Sequence, residues 1–202
     1  DYRFPLSHSA HQTKEAALVC LEDNIKDAYD AEFKGVFESL HTSTPEGIDF
    51  LNRARKKVPF RIVIEVVTPH LFLNTLDYSI HGNNVKMNPA FRDPIDQEGV
   101  LERTIREEID RLDLDHAGHP PQLKASSEPP SGNPAIPIYP WGCGRLLELG
   151  MRKEFLKRIT FDTANELFFK GTLQPKEVDI EYDPSRWEKY GYNPYSRVDG
   201  TL

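Results

Sequence analysis

Hydrophobic residues recur along this chain with two different periods. Between residues 12 and 34, Ala16, Ala17, Val19, Cys20, Ile25, Ala28 and Tyr29 fall at helical spacing among acids and lysines, which predicts an amphipathic helix. Gly35 to Leu40 reads as a short strand ending at His41. Thr42-Ser43-Thr44-Pro45-Glu46 offers a hydroxyl cap, a proline at the first helical position and an acid in the first turn, so a helix starts there and runs to about Lys57. Phe60 to Val67 is β-branched and almost unbroken in its apolar character, as expected of a strand covered on both faces. A turn-rich stretch around Gly82-Asn83-Asn84 follows, then a second amphipathic helix from Asp96 to Glu108 and a strand from Ile109 to Asp115. Residues 120–140 form a proline-rich loop of a length often kept for function. Helices near 144–157 and 161–170 come next, and the tail from Pro175 is irregular and rich in tyrosine.

Alternation of helices and strands in this order predicts βαβ units and a parallel sheet, an α/β fold. In such sheets and in parallel barrels, chemistry sits at the carboxyl ends of the strands. His41 and Asp115 both stand at such ends.

Composition narrows the partners. The 202 residues are 38% hydrophobic and 28% charged, an ordinary protein with a core, and the net charge of −7 argues against nucleic acid. The basic group of Lys14, Arg53, Arg55, Lys56 and Lys57 reads as a solvated helix face. Two cysteines, Cys20 and Cys143, imply no disulfide framework and a reducing, cytoplasmic compartment. The longest apolar run, Ile62-Val63-Ile64 with Val66-Val67, is too short to span a bilayer, so no membrane partner is expected. No signal peptide is visible, and the start at Asp1 without methionine reads like the middle of a longer chain.

The chemistry gathers in Asp115-His116-Ala117-Gly118-His119. Imidazole and carboxylate both suit zinc, and an aspartate beside a metal-bound water can take its proton. The same residues could also be polar groups at a strand end meeting solvent. His8 and His11 read as surface residues, and His70 and His81 as loop or satisfied structural histidines.

Several segments in order carry a resemblance to the C-terminal half of the dihydroorotases, of the amidohydrolase superfamily. Leu40-His41-Thr42-Ser43-Thr44 with Glu46-Gly47 resembles the H-[VIL]-S-T-x-E/K segment that ends barrel strand six. Glu65-Val66 through His70-Leu71 resembles E-V-x-x-H-H-L of strand seven, and Val85-Lys86-Met87-Asn88-Pro89-Ala90-Phe91-Arg92 resembles K-x-N-P-P-[LI]-[RK]. Asp110 through His119 is similar to I-D-x-[IV]-A-T-D-H-A-P-H of strand eight. Thr163-Ala164-Asn165-Glu166-Leu167-Phe168 sits where the family has N-P-A-x-[IL]-F, and Tyr190-Gly191-Tyr192-Asn193-Pro194-Tyr195 resembles its C-terminal S-P-F-x-G element.

The resemblance implies a (β/α)8 barrel of which this chain holds the last strands and their helices. Residues 1–35 would lead in from the middle of the barrel, 36–170 would supply strands six to eight, and 171–202 an irregular extension. It implies a binuclear zinc site and the reversible cyclisation of N-carbamoyl-L-aspartate to L-dihydroorotate, a step of pyrimidine synthesis. His41 would be a zinc ligand, and Asp115 a ligand and the catalytic acid/base. Asn88, His119 and Arg92 would bind substrate. The family's H-x-H pair, bridging lysine and strand-five histidine would have to lie outside this chain, which makes a homo-oligomer, or completion by the rest of the barrel, the expected state. The chain departs from the family at Ala90, Asp113, Leu114 and Gly118, and at Pro137-Ile138-Tyr139-Pro140-Trp141-Gly142. The alternatives are a hydantoinase or allantoinase, and a non-catalytic homologue that scaffolds a partner enzyme.

Overall fold

The computed structural model describes residues 3–176 and 180–201. Its centre is a parallel sheet of three strands in the order β1 (Val36–Ser39), β2 (Arg61–Val67) and β3 (Arg111–Asp113). Ser39 pairs with Ile64, and Glu65 and Val67 pair with Arg111 and Asp113. This register sorts the side chains by face. Ile62, Ile64, Val66 and Leu112 point into a core filled by Ile48 and Leu51 of α3 (Pro45–Ala54), Val100 of α6 (Pro94–Ile105), and Leu146, Phe155 and Ile159. On the opposite face the charged Glu38, Glu65, Arg111 and Asp113 lie beside Val63 and Val67.

Helix α3 starts as predicted: the Thr44 hydroxyl accepts from the Gly47 N–H at 3.1 Å and Pro45 takes the first turn. The helix expected within 12–34 is α2 (Lys14–Asp30), capped by Thr13, and a short α1 (Ser7–His11) precedes it. The turn-rich stretch holds two five-residue helices, α4 (Thr68–Phe72) and α5 (Asp77–His81), too short to show a period. After α7 (Pro121–Lys124), the expected helix over 144–157 begins earlier and breaks at Gly150, which has φ +98°, giving α8 (Tyr139–Glu148) and α9 (Lys153–Lys157). A π turn, Arg158–Asp162, leads into α10 (Thr163–Phe169).

The tail is irregular as expected but not loose. A 3₁₀ turn (Pro184–Tyr190) and α11 (Ser196–Asp199) bring Trp187 and Tyr195 into a second core with Val67, Leu73, Met87, Phe91 and Ile138, at the carboxyl end of the sheet. Arg197 anchors it through both oxygens of the fully buried Asp77, each at 2.8 Å. The readings that rest on Asp1 and Tyr2 lie outside the described residues. Among the described residues, no helix is long and apolar enough to cross a membrane.

Candidate active site

His41 follows β1 and Asp115 follows β3, so both sit at carboxyl ends of parallel strands, separated by β2. Ordinary sheet spacing puts their backbones about 10 Å apart. Both are left-handed, with φ +38° at His41 and +44° at Asp115. His41 is half-buried and Asp115 is exposed. A cleft of about 460 Å³ opens at His41, lined by Glu38, Ser39, Thr42, Leu21 and Pro89 among others.

Between the two ends lies an ion network on the charged face of the sheet. Arg111 pairs with Glu65 at 2.6 Å and also with Glu38 and Asp113. Its guanidinium lies 5.3 Å from the Phe168 ring centre. The second oxygen of Glu65 accepts from the His41 N–H at 3.0 Å. Burial pushes the Glu65 carboxyl up to about 7, against the pull of that hydrogen bond and of Arg111. The network explains Asp113, a carboxylate where the resembled family has a small residue: it faces Arg111 and its side chain is 48% exposed, so it carries no unpaired buried charge.

The loop after α5 carries the next candidates. Asn88 is exposed and its Oδ1 accepts from Gln12 at 3.1 Å. Arg92 is buried, and its hydrogen-bond partners among the described residues are neutral: Ser43 Oγ at 3.2 Å and the Gln12 carbonyl. Burial holds the Arg92 guanidinium below its usual pKa. No carboxylate lies within ion-pair distance of it among the described residues. His8, read as a surface residue, is half-buried instead and donates to the Met87 carbonyl at 2.8 Å, tying α1 to this loop.

In the segment after Asp115 the histidines divide. His116 Nδ1 accepts from the Ala135 and Ile136 N–H groups at 2.9 and 3.2 Å, so the ring proton must sit on Nε2, 3.3 Å from the Tyr190 hydroxyl. Both nitrogens are occupied, and burial with nearby Lys189 lowers its pKa; His116 is a neutral lock on the proline-rich loop. His119 Nε2 must donate to the Ser131 carbonyl at 3.1 Å, which leaves Nδ1 as the accepting nitrogen of the neutral ring. Gly118, where the family resembled has proline, lies under Tyr190: a Cβ there would stand 2.7 Å from the tyrosine ring.

Two residues organise the rim: His70, read as a loop or structural histidine, and Lys124, which carried no expected role. His70, on α4, is 2% exposed, donates from Nε2 to the Pro89 carbonyl at 3.0 Å, and packs edge-on against Phe91. Burial, with Arg92 and His41 nearby, drives its pKa down to about 3. Lys124 is 1% exposed and gives its ammonium to the carbonyls of Lys86 and Pro130, at 3.0 and 3.1 Å, and of Gly132, clamping two rim loops together. Lys124 leaves no signal in the sequence, because its partners are backbone carbonyls.

The donor types at His41 and Asp115 suit zinc, yet among the described residues no three of His, Cys, Asp and Glu gather closely enough to hold an ion. The described residues do not by themselves form a complete metal site.

Comparisons with known proteins fit this architecture. No protein-family model matches the chain. An allantoinase of Salmonella gallinarum is 38% identical over 88 residues, covering 43% of this chain and 19% of that protein. A dihydroorotase of Halobacterium salinarum is 32% identical over 130 residues, 63% of this chain and 29% of that protein. The L-hydantoinase (dihydropyrimidinase) structure from Arthrobacter aurescens superposes with a TM-score of 0.69 at 22% identity, over 87% of this chain and 43% of that one. The chain thus spans less than a third of the length of these curated relatives. Over parts of its length the chain is thus similar in sequence to an allantoinase and a dihydroorotase, and it shares its α/β fold with a hydantoinase.

Proposed function

We propose that the chain supplies the last three strands of a (β/α)8 barrel that opens and closes a cyclic amide, and that its reaction is the dihydroorotase one, N-carbamoyl-L-aspartate to L-dihydroorotate. The observation that carries the reading is that His41 and Asp115 both follow the carboxyl ends of strands in one parallel sheet, each with left-handed backbone. Asp115, exposed at its strand end, moves the proton to and from the ring nitrogen. His119 presents Nδ1 as an acceptor for a ring N–H, and Asn88 binds beside it. Zinc, when bound, would polarise the amide carbonyl and supply hydroxide near neutral pH. His41 and Asp115 would be two of its donors, the others coming from outside this chain. The outer edge of β1, with Val36 44% and Leu40 52% exposed, is where the remaining strands or another copy would add.

A buried charge favours an anionic ring over a neutral one. Arg92 is buried and has no ion-pair partner among the described residues. Such a field attracts the carboxylate of dihydroorotate. The allantoinase likeness supports the second reading, a neutral ring of the allantoin or hydantoin kind. The scaffold reading loses ground, since Asp113 and Gly118 each have a local structural reason. Titration of the protein with L-dihydroorotate and with hydantoin separates the readings. We expect preference for the anionic ring, reduced roughly tenfold or more in Arg92→Gln; preference for hydantoin, unchanged in that variant, would assign the neutral ring instead.

A further inference from the structure

We infer that Glu65 and Asp113 are positioning residues that hold His41 and Asp115 in their left-handed turns, with Arg111 as their shared counter-charge. The inference rests on the reading of His41 and Asp115 as the working pair.

Left-handed backbone is disfavoured for any residue with a Cβ and persists only where the surroundings over-determine it. Glu32, His41, Glu107, Asp115 and Lys170 adopt it here. Glu32, Glu107 and Lys170 lie just past the ends of α2, α6 and α10, where a left-handed residue is the ordinary way to close a helix. His41 and Asp115 follow strands, so helix capping does not account for them. What holds them is the ion network. Glu65 takes two consecutive amides of the first turn: its side-chain Oε1 accepts from His41 N–H at 3.0 Å, and its main-chain carbonyl accepts from Thr42 N–H at 2.8 Å. On β3 Asp113 holds the approach to the second turn: its Oδ1 accepts from Leu114 N–H, one residue before Asp115, at 2.7 Å, and Thr68 Oγ1 donates to its carbonyl at 3.2 Å. Arg111 bonds the free oxygen of each carboxylate, and so fixes the two acceptors relative to each other across the sheet. A carboxylate therefore grips the His41 amide on one side and the Leu114 amide, one residue before Asp115, on the other, and one guanidinium grips both carboxylates. This also gives Asp113, a departure from the resembled family, a role of its own.

The test is nuclear magnetic resonance on the full chain for the wild type, Glu65→Gln, Glu65→Leu and Asp113→Ala. Arg111 keeps Glu38 and Asp113 when Glu65 is replaced, which preserves its charge balance. In Glu65→Leu we expect the His41 amide to exchange about tenfold faster, as for one lost hydrogen bond. Its backbone couplings should leave the values of a positive φ, while Asp115 stays as it was. Glu65→Gln, which keeps an acceptor, should restore both readouts. Asp113→Ala should move Leu114 and Asp115 and spare His41. If Glu65→Leu does not fold, Asp113→Ala, at a half-exposed side chain, carries the same test at the other turn. Unchanged couplings and exchange at both turns would overturn the inference, as would changes spread evenly over the chain. No turnover is needed, so a failure of the proposed activity is read separately.

Discussion

His70 is neutral because it is buried, and burial makes it a source of acid sensitivity. Its folded pKa lies near 3, below the ordinary 6.5, so between those values the unfolded chain takes up a proton that the folded chain refuses. Stability therefore falls as pH drops from about 6.5 toward 3, and the contribution is fully present above 6.5. In His70→Phe, thermal unfolding followed across that range should show a shallower loss than the wild type; a parallel loss would remove His70 from the account. Gly118 is the converse case, a position set by space. Gly118→Ala brings a Cβ to 2.7 Å from Tyr190, and we expect a cost of about 1 kcal/mol in urea unfolding, relieved when Tyr190 is also cut to Ser. The candidate residues His41 and Asp115 were legible in sequence because each ends an apolar strand. Glu65 and Arg111 were not legible as a pair, since only the register of β2 on β3 sets them side by side.

At the scale of elements, β2 was readable because six of its seven residues are buried and leave a continuous apolar run. β3 is three residues long, shorter than Ile109–Asp115 suggested: at one end the Asp110 carboxylate, not its carbonyl, takes Ile64 N–H and Arg55, and at the other Asp115 has left the extended region. The short helices α4 and α5 offer no period to read. The sheet's charged face depends on one cation. Arg111→Met would leave Glu65, whose side chain is 6% exposed, without its counter-charge, and should cost about 3–5 kcal/mol in denaturant unfolding. The double change Arg111→Met with Glu65→Met should recover much of that loss. Equal stability of single and double variants would show that the ion pair is not what holds the strands in register.

At the scale of the molecule, two cores divide the labour. The first, under the helices, builds the sheet; the second, fed by the C-terminal segment, closes over its carboxyl end and carries Trp187, Tyr190 and Tyr195 to the rim. The position of the site was visible in the order of helices and strands, but the tail's place over it was not, because irregular segments carry no periodic signal. The central claim, that Asp115 works as the proton-transfer group of a cyclic amidohydrolase, is tested most directly by one rate. It is the ring opening of L-dihydroorotate by the polypeptide that carries this chain, with zinc supplied, in the wild type and in Asp115→Asn. The account predicts turnover that falls a hundredfold or roughly more in the variant while the fold is kept. Equal rates in the two proteins, or no ring opening by the zinc-supplied wild type, would contradict it.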